Sequence, residues 1–197
     1  DAIAKGEKIC VWGDYDADGI SSLALAFNFL KNLGITPAIR IPTREEGYGL
    51  HIEGINGLHK EGVRLLVSLD CGSSNVEEIA RANELGIDTI VIDHHEMGSE
   101  LPPAHAVINP KRKDSAFPTR DLAACGVTFF FLMGLRRTLH NKGLISGHIN
   151  LKKELDLVTV GTVGDMVPLT GDNRILVRHG LEMMHESPRA WLRSMLG

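Results

Sequence analysis

Three aspartates, Asp14, Asp16 and Asp18, occupy alternate positions in one short segment. Carboxylates this close together repel one another, so the cluster is costly unless a cation compensates for it. Hard oxygen ligands of this kind suit Mg²⁺, Mn²⁺ or Ca²⁺. The segment resembles the start of an EF-hand calcium loop, but that loop needs a glutamate at its twelfth position, which here is Leu25. It is therefore a poor match to an EF-hand.

Two later segments also place acidic or imidazole side chains directly after an apolar run. One run is followed by Asp70, and the next is followed by Asp93, His94 and His95. A further carboxylate, Asp165, lies among small and apolar residues, where a buried aspartate needs a partner. A metal would provide that partner, and capping of the following helix is the alternative.

The elements that position these residues follow from periodicity, because short apolar runs alternate with longer segments of helical spacing. We predict strands at 8–12, 36–41, 64–69, 88–92 and 104–108, and helices at 20–33, 51–61 and 75–85. Further helices are predicted at 122–139, 151–163, 175–185 and 188–196. This order predicts an α/β fold, with a doubly wound, mostly parallel sheet, helices on both faces and a mainly helical C-terminal part.

Strand ends in a parallel sheet lie along one edge, which is where open α/β sheets bind their ligands. The residues expected to converge there are Asp14, Asp16, Asp18, Asp70, Asp93, His94 and His95. A mixed carboxylate and imidazole site of this kind suits two transition-type cations. Each aspartate alone has a simpler interpretation as a helix cap. Three such clusters at successive strand ends weaken that interpretation as a joint explanation.

The composition is that of an ordinary globular protein, since 197 residues with 43% hydrophobic and 23% charged residues allow one sizeable core. The sequence has no apolar run of the roughly twenty residues that a membrane span requires. Its first residues lack the features of a secretory signal, so we expect a cytoplasmic location. Three widely spaced cysteines argue against a disulfide framework or a thiolate zinc site. The net charge of −4 disfavours nucleic-acid binding, unless bound cations neutralise clustered carboxylates.

The order and spacing of these motifs resemble the DHH phosphoesterases. The matching motifs are Asp14-x-Asp16-x-Asp18-Gly19, Asp70-Cys71-Gly72, Asp93-His94-His95 and Asp165. Most members of that family begin the first motif with histidine, where this chain has Asp14. The aspartate form, together with segments 46–50, 109–111 and 161–169, resembles the family's single-strand-specific DNA exonucleases. These matches cover nearly the whole chain.

The resemblance implies two sets of metal ligands that share one residue. The first set is Asp14, Asp16 and Asp70, and the second is Asp18, Asp70, His94 and Asp165. Asp70 would therefore bridge two ions, which are expected to be Mn²⁺, with Mg²⁺ as the alternative. Asp14 in place of the usual histidine leaves open how firmly the first ion is held without substrate.

The resemblance also implies two catalytic residues outside those sets. His95 would contact the scissile phosphate, and Asp93 would orient the imidazoles. A protonated His95 could stabilise charge on the phosphoryl oxygens or assist the leaving group. Water on a metal could instead serve as the acid.

By resemblance, the chain is expected to be a metal-dependent phosphodiesterase that degrades single-stranded DNA from its 5′ end to mononucleotides, in DNA repair and recombination. Expected partners are the single-stranded DNA substrate, a repair helicase and a single-strand-binding protein, with no membrane. Residues 1–197 would form the DHH catalytic domain, and a DHHA1-type domain and an OB-fold are expected beyond the C-terminus.

Two rival functions stay open at this point. The first is another DHH hydrolase, acting on oligoribonucleotides, cyclic dinucleotides or pyrophosphate. Asp14 and the segment 46–50 count against it. The second is a non-catalytic DHH scaffold, which should have lost ligands, whereas this chain retains every expected one.

Overall fold

The computed structural model describes residues 1–147, 149–186 and 188–196. Its strands are β1 (Ile9–Gly13), β2 (Ala38–Arg40), β3 (Leu65–Leu69), β4 (Asp88–Ile92) and β5 (Ala106–Ile108). They form one fully parallel sheet in the order β2-β1-β3-β4-β5. Because β1 has β2 on one side and β3 on the other, the winding direction reverses at β1. Open α/β sheets bind ligands at such a reversal.

The helices are α1 (Ala2–Lys5), α2 (Ala17–Asn32), α3 (Ile52–Lys60), α4 (Val76–Glu84), α5 (Ala124–Asn141), α6 (Leu155–Gly164), α7 (Gly171–Glu186) and α8 (Ala190–Leu196). A short 3-10 helix, Leu151–Glu154, precedes α6. All the predicted strands and helices are present, and the α/β, doubly wound class is confirmed. The short helix α1 was not predicted.

Both faces of the sheet are covered, because the strands are apolar on both sides. In β1, Ile9 and Val11 belong to a core with residues of α2, α5 and α6. Cys10 and Trp12 face the other way, into a core with residues of α3 and α4. All four side chains are at most 4% exposed. This two-sided burial explains the continuous apolar runs in the sequence.

Helix α2 begins one turn earlier than the predicted start at residue 20. Asp16 is its N-cap, and one carboxylate oxygen accepts the backbone N–H groups of Asp18 and Gly19, each at 2.9 Å. This side-chain cap satisfies donors that a first turn otherwise leaves unpaired. Asp18 therefore lies in the first turn of a helix, which directs its buried side chain toward the sheet edge.

Other sequence-based expectations concern the cysteines and the membrane. Cys10, Cys71 and Cys125 are free and buried, which agrees with the argument against a disulfide framework. Within the part of the chain that the structure describes, no helix combines the length and apolar character needed to cross a membrane.

Candidate metal centre

The side chains that follow β1, β3 and β4 meet at the carboxyl edge of the sheet, and Asp165 joins them from the end of α6. Three groups of residues meet here, and within each group the potential ligand atoms lie within 4.8 Å of one another. The groups are Asp14 with Asp16 and Asp70, Asp18 with His94 and Asp165, and Asp70 with His94 and His95. The first two groups coincide with the ligand sets implied by the motifs, apart from Asp70 in the second.

Asp70 is connected to the second group by its distance to His94. The Nε2 atom of His94 lies 3.4 Å from Oδ1 of Asp70, 3.6 Å from Oδ2 of Asp165 and 3.8 Å from Oδ2 of Asp18. The two longer separations exceed hydrogen-bond length, and within the part of the chain that the structure describes the nitrogen has no hydrogen-bond partner. Atoms that share one cation are separated in this way, because each contacts the ion rather than its neighbour.

Four buried polar atoms at this edge have no hydrogen-bond partner among the described residues. They are Oδ1 of Asp14, both carboxylate oxygens of Asp70 and Nε2 of His94. Such atoms are rare in folded proteins, because an unpaired buried polar group is costly. Asp70 also has a left-handed backbone with φ of 61°, which is strained for a residue other than glycine. The donor set therefore fits divalent cations, which would pair these atoms.

Without a cation, the clustered carboxylates resist ionisation. Burial, followed by the charges of Asp18 and Asp16, raises the pKa of Asp70 to about 10. Burial is also the main cause that raises the pKa of Asp14, Asp18 and Asp165. Divalent cations would reverse this effect, because they stabilise the ionised form.

Asp18 has a second contact that explains its complete burial. Its two oxygens accept the backbone N–H groups of Ala124 at 2.6 Å and Cys125 at 2.8 Å, at the start of α5. The positive end of the helix dipole stabilises a carboxylate there. Each oxygen keeps a lone pair for a metal, so the capping and ligand interpretations of Asp18 are compatible.

Gly161 in α6 packs directly behind Asp18. A Cβ atom at this position would lie 2.6 Å from Sγ of Cys125 and 2.8 Å from Oδ1 of Asp18. We therefore expect Gly161→Ala to displace Asp18, to lower the free energy of unfolding by about 1–3 kcal/mol, and to weaken Mn²⁺ binding. Thermal melts with and without Mn²⁺ would measure both effects.

Gly57→Ala in α3 is the matched control, because a Cβ atom at Gly57 would meet nothing within 4 Å. We expect this variant to keep its Mn²⁺-dependent stabilisation. Equal Mn²⁺-dependent stabilisation in the Gly161→Ala variant would show that packing behind Asp18 does not set the ligand geometry.

Asp93 lies beside the candidate ligands and is held by backbone donors. Its oxygens accept the N–H groups of Ser73 at 3.0 Å and His94 at 2.7 Å, and Oδ1 lies 2.8 Å from Nδ1 of His95. Its carboxylate contacts the ring of His95 but only the backbone of His94. Although burial opposes ionisation, the hydrogen bond with His95 lowers the pKa of Asp93, and the same bond raises the pKa of His95.

Asp93→Asn is expected to lower the pKa of His95, because the carboxylate that stabilises the imidazolium is lost. If protonated His95 is the active form, activity falls as pH rises through its pKa. The alkaline limb of the pH profile should therefore move to lower pH in the variant. The measurement is kcat against pH at saturating Mn²⁺, and an alkaline limb that does not move would contradict the assignment.

Two residues near His95 were not among the predicted site residues. Asn109 donates from Nδ2 to the backbone carbonyl of His95 and to Oγ of Ser73, both at 3.0 Å. It follows β5 directly, so the rule applied to the other strand ends could have found it. Tyr48 contacts His95 through its hydroxyl, 2.9 Å from Nδ1. Tyr48 lies in the segment 46–50 that resembles the family's exonucleases, but the local sequence does not indicate its contact with His95.

Comparison with known proteins defines the class of this fold and site. The model of the DHH family, N-terminal domain, matches residues 8–162. The chain belongs to the DHH family.

Within the family, the chain is similar to RecJ. It is 41% identical over 186 residues to the single-stranded-DNA-specific exonuclease RecJ of Escherichia coli (strain K12), covering 91% of this chain and 32% of that protein. It is 35% identical over 196 residues to RecJ of Bacillus subtilis (strain 168), covering 99% of this chain and 24% of that protein. The chain thus spans about a third or less of the length of these two relatives.

Solved structures of RecJ are also similar to this chain. A crystal structure of exonuclease RecJ bound to manganese superposes with a TM-score of 0.86 at 35% identity, over 98% of this chain and 48% of that one. RecJ from Thermus thermophilus in complex with Mn²⁺ gives a TM-score of 0.81 at 32% identity, over 98% of this chain and 27% of that one. The doubly wound fold with its mainly helical C-terminal part is therefore that of RecJ structures.

Proposed function

We propose that this chain is the catalytic DHH domain of a single-strand-specific DNA exonuclease, which hydrolyses phosphodiester bonds with two divalent cations. It would proceed from the 5′ end and release mononucleotides, in DNA repair and recombination. The observation that carries the proposal is that unpaired buried ligand atoms from three strand ends, those of Asp14, Asp70 and His94, meet around Asp70, with Asp165 joining them from the end of α6. RecJ similarity over nearly the whole chain supports the choice of substrate.

The proposed ligand sets are Asp14, Asp16 and Asp70 for one ion, and Asp18, Asp70, His94 and Asp165 for the other. The proposed ion is Mn²⁺, with Mg²⁺ as the alternative, and RecJ structures have been solved with each. When bound, such a pair supplies an activated water for in-line attack and stabilises charge on the attacking and leaving oxygens.

The protein's own contribution is to place and hold these groups. Asp70 has a left-handed backbone, and its carboxylate lies close to ligand atoms of both proposed sets. Asp93 fixes the proton on Nδ1 of His95, so that Nε2 is the nitrogen left for the substrate. A protonated His95 would donate from Nε2 to a phosphoryl oxygen or to the leaving oxygen. Its side chain is 46% exposed, which leaves it accessible to a substrate.

The test measures hydrolysis of four substrates by the full chain in the presence of Mn²⁺. The substrates are a 5′-phosphorylated single strand of DNA, its RNA counterpart, a duplex and pyrophosphate, and the Asp70→Ala variant is the control. Release of mononucleotides from single-stranded DNA, lost in the control, is the expected result. Preference for RNA or pyrophosphate would instead indicate another DHH hydrolase. Absence of turnover and of metal binding would indicate a non-catalytic scaffold.

The proposal extends to the surroundings of the domain. We place the protein in the cytoplasm, with a repair helicase and a single-strand-binding protein as partners. A DHHA1-type domain and an OB-fold would follow this domain and bind the DNA strand. Pull-down of a single-strand-binding protein and a helicase by the full gene product tests the partners.

A further inference from the structure

Tyr48 occupies a loop that is fastened to the turn carrying Asp70. Its neighbours Gly47 and Gly49 have φ of 88° and 91°, a left-handed conformation that favours glycine. The side chain of Asn75, just before α4, accepts the N–H of Leu50 at 3.4 Å and donates to its carbonyl at 3.3 Å. The loop therefore packs on the β3–α4 connection, with Tyr48 facing the candidate metal centre.

The phenol of Tyr48 connects the backbone of one site residue to the ring of another. Its hydroxyl donates to the carbonyl oxygen of Asp70 at 2.7 Å. The same oxygen lies 2.9 Å from Nδ1 of His95, whose ring meets the tyrosine edge-on with centroids 5.4 Å apart. Because the hydroxyl proton is directed to Asp70, the oxygen can accept only a share of the single Nδ1–H of His95, which Asp93 also accepts.

This contact holds both the backbone of Asp70 and the ring of His95. The backbone of Asp70 is left-handed, and its carbonyl has Tyr48 as a partner in place of a continuing strand. The ring of His95 is half-exposed and is held at one edge by Asp93, 2.8 Å away. The hydroxyl of Tyr48 supplies a second contact, 2.9 Å from Nδ1 and 3.5 Å from Nε2, which restricts rotation of the ring.

We propose that Tyr48 is a positioning residue for phosphodiester hydrolysis, which acts through His95 by fixing its ring relative to Asp70. The inference rests on the proposed function and deepens it. Tyr48 itself transfers no proton and binds no metal. Its effect therefore depends on the presence of His95.

A double-mutant cycle on the full chain tests this dependence, with hydrolysis of bis(p-nitrophenyl) phosphate in Mn²⁺ as the readout. Tyr48→Phe removes only the hydroxyl. We expect kcat to fall about 10- to 100-fold, with KM and the Mn²⁺ midpoint nearly unchanged. In a His95→Ala background, the same change should cost less than about 2-fold. Equal losses in both backgrounds would overturn the proposal.

Tyr15→Phe is the matched control, because Tyr15 is the other of the two tyrosines. Its ring lies under Arg44 at 5.9 Å, and its hydroxyl has no hydrogen bond within the described residues. We expect kcat within about 2-fold of the unmodified chain. A loss equal to that of Tyr48→Phe would overturn the specific role of Tyr48.

A spectroscopic readout separates this inference from the choice of substrate. In metal-free protein, Tyr48→Phe should shift the imidazole ¹⁵N resonances of His95 and leave those of His94 in place. Unchanged His95 resonances would overturn the inference. Failure to cleave single-stranded DNA would count only against the proposed function, because neither the small phosphodiester nor the resonance shifts depend on a DNA substrate.

Discussion

Replacing Asp70 with asparagine is expected to abolish hydrolysis, with a loss of about 10³-fold or more in kcat, and to prevent binding of both cations. Asp70 is 1% exposed, and neither of its oxygens has a hydrogen-bond partner in residues 1–147, 149–186 and 188–196. It is the carboxylate that lies close to ligand atoms of both sets. An amide has one neutral acceptor oxygen, so it cannot bridge two ions.

The same substitution should stabilise the metal-free protein. Because burial and neighbouring carboxylates raise the pKa of Asp70 in the folded state, folding takes up a proton at neutral pH. The unmodified protein therefore loses stability as pH rises above the unfolded value of about 4, up to the folded pKa. Asparagine has no such proton, so the variant should gain about 2–5 kcal/mol near pH 8 in EDTA.

Calorimetric titration with Mn²⁺ and melts in EDTA across pH 5 to 9 measure both effects. Asp88→Asn is the matched control, since Asp88 is an exposed aspartate at the opposite end of the sheet, at the start of β4. It should change neither metal binding nor the pH dependence of melting. An Asp70→Asn variant that binds two ions normally, or that is destabilised in EDTA, would contradict the site.

The adjacent histidines are expected to give opposite results when each is replaced by alanine. His95→Ala should lower kcat about 10²- to 10³-fold while Mn²⁺ affinity stays within about 3-fold, because Asp93 and Tyr48 hold its Nδ1. His94→Ala should instead lower Mn²⁺ affinity, since its buried Nε2 faces three carboxylates without a hydrogen bond.

Calorimetry for metal affinity and steady-state kinetics at saturating Mn²⁺ separate these two roles. The pair is its own control, because both variants lose an imidazole at neighbouring positions. An equal loss of Mn²⁺ affinity in both variants would make His95 a ligand. The experiment must exclude a ligand role of His95, because its Nδ1 also lies 3.8 Å from Oδ1 of Asp70.

The fold and the convergence of the site were predictable because both depend on local periodicity. Apolar runs buried on two faces mark parallel strands, and the edge rule then assembles Asp14, Asp70 and His94 without any knowledge of side-chain positions. The sequence predicts the start of α2 one turn too late, because Asp16 caps the helix while also belonging to a candidate ligand set. A sequence does not separate these two uses of one carboxylate.

Contacts between distant segments were beyond the sequence. The hydroxyl of Tyr48 and the ring of His95 are 47 residues apart, and the oxygens of Asp18 meet the start of α5 more than 100 residues later. Neither pairing has a periodic signature, because each depends on how loops and helices pack around the sheet. The left-handed backbone of Asp70 is likewise a product of tertiary packing.

The most direct test of the two-metal site is an anomalous difference map from crystals of the chain grown with Mn²⁺. We predict two peaks about 4 Å apart on either side of the Asp70 carboxylate. One peak should lie near Asp14 and Asp16, and the other near His94 and Asp165. A single peak away from Asp70, or no peak at saturating Mn²⁺, would contradict the two-metal site.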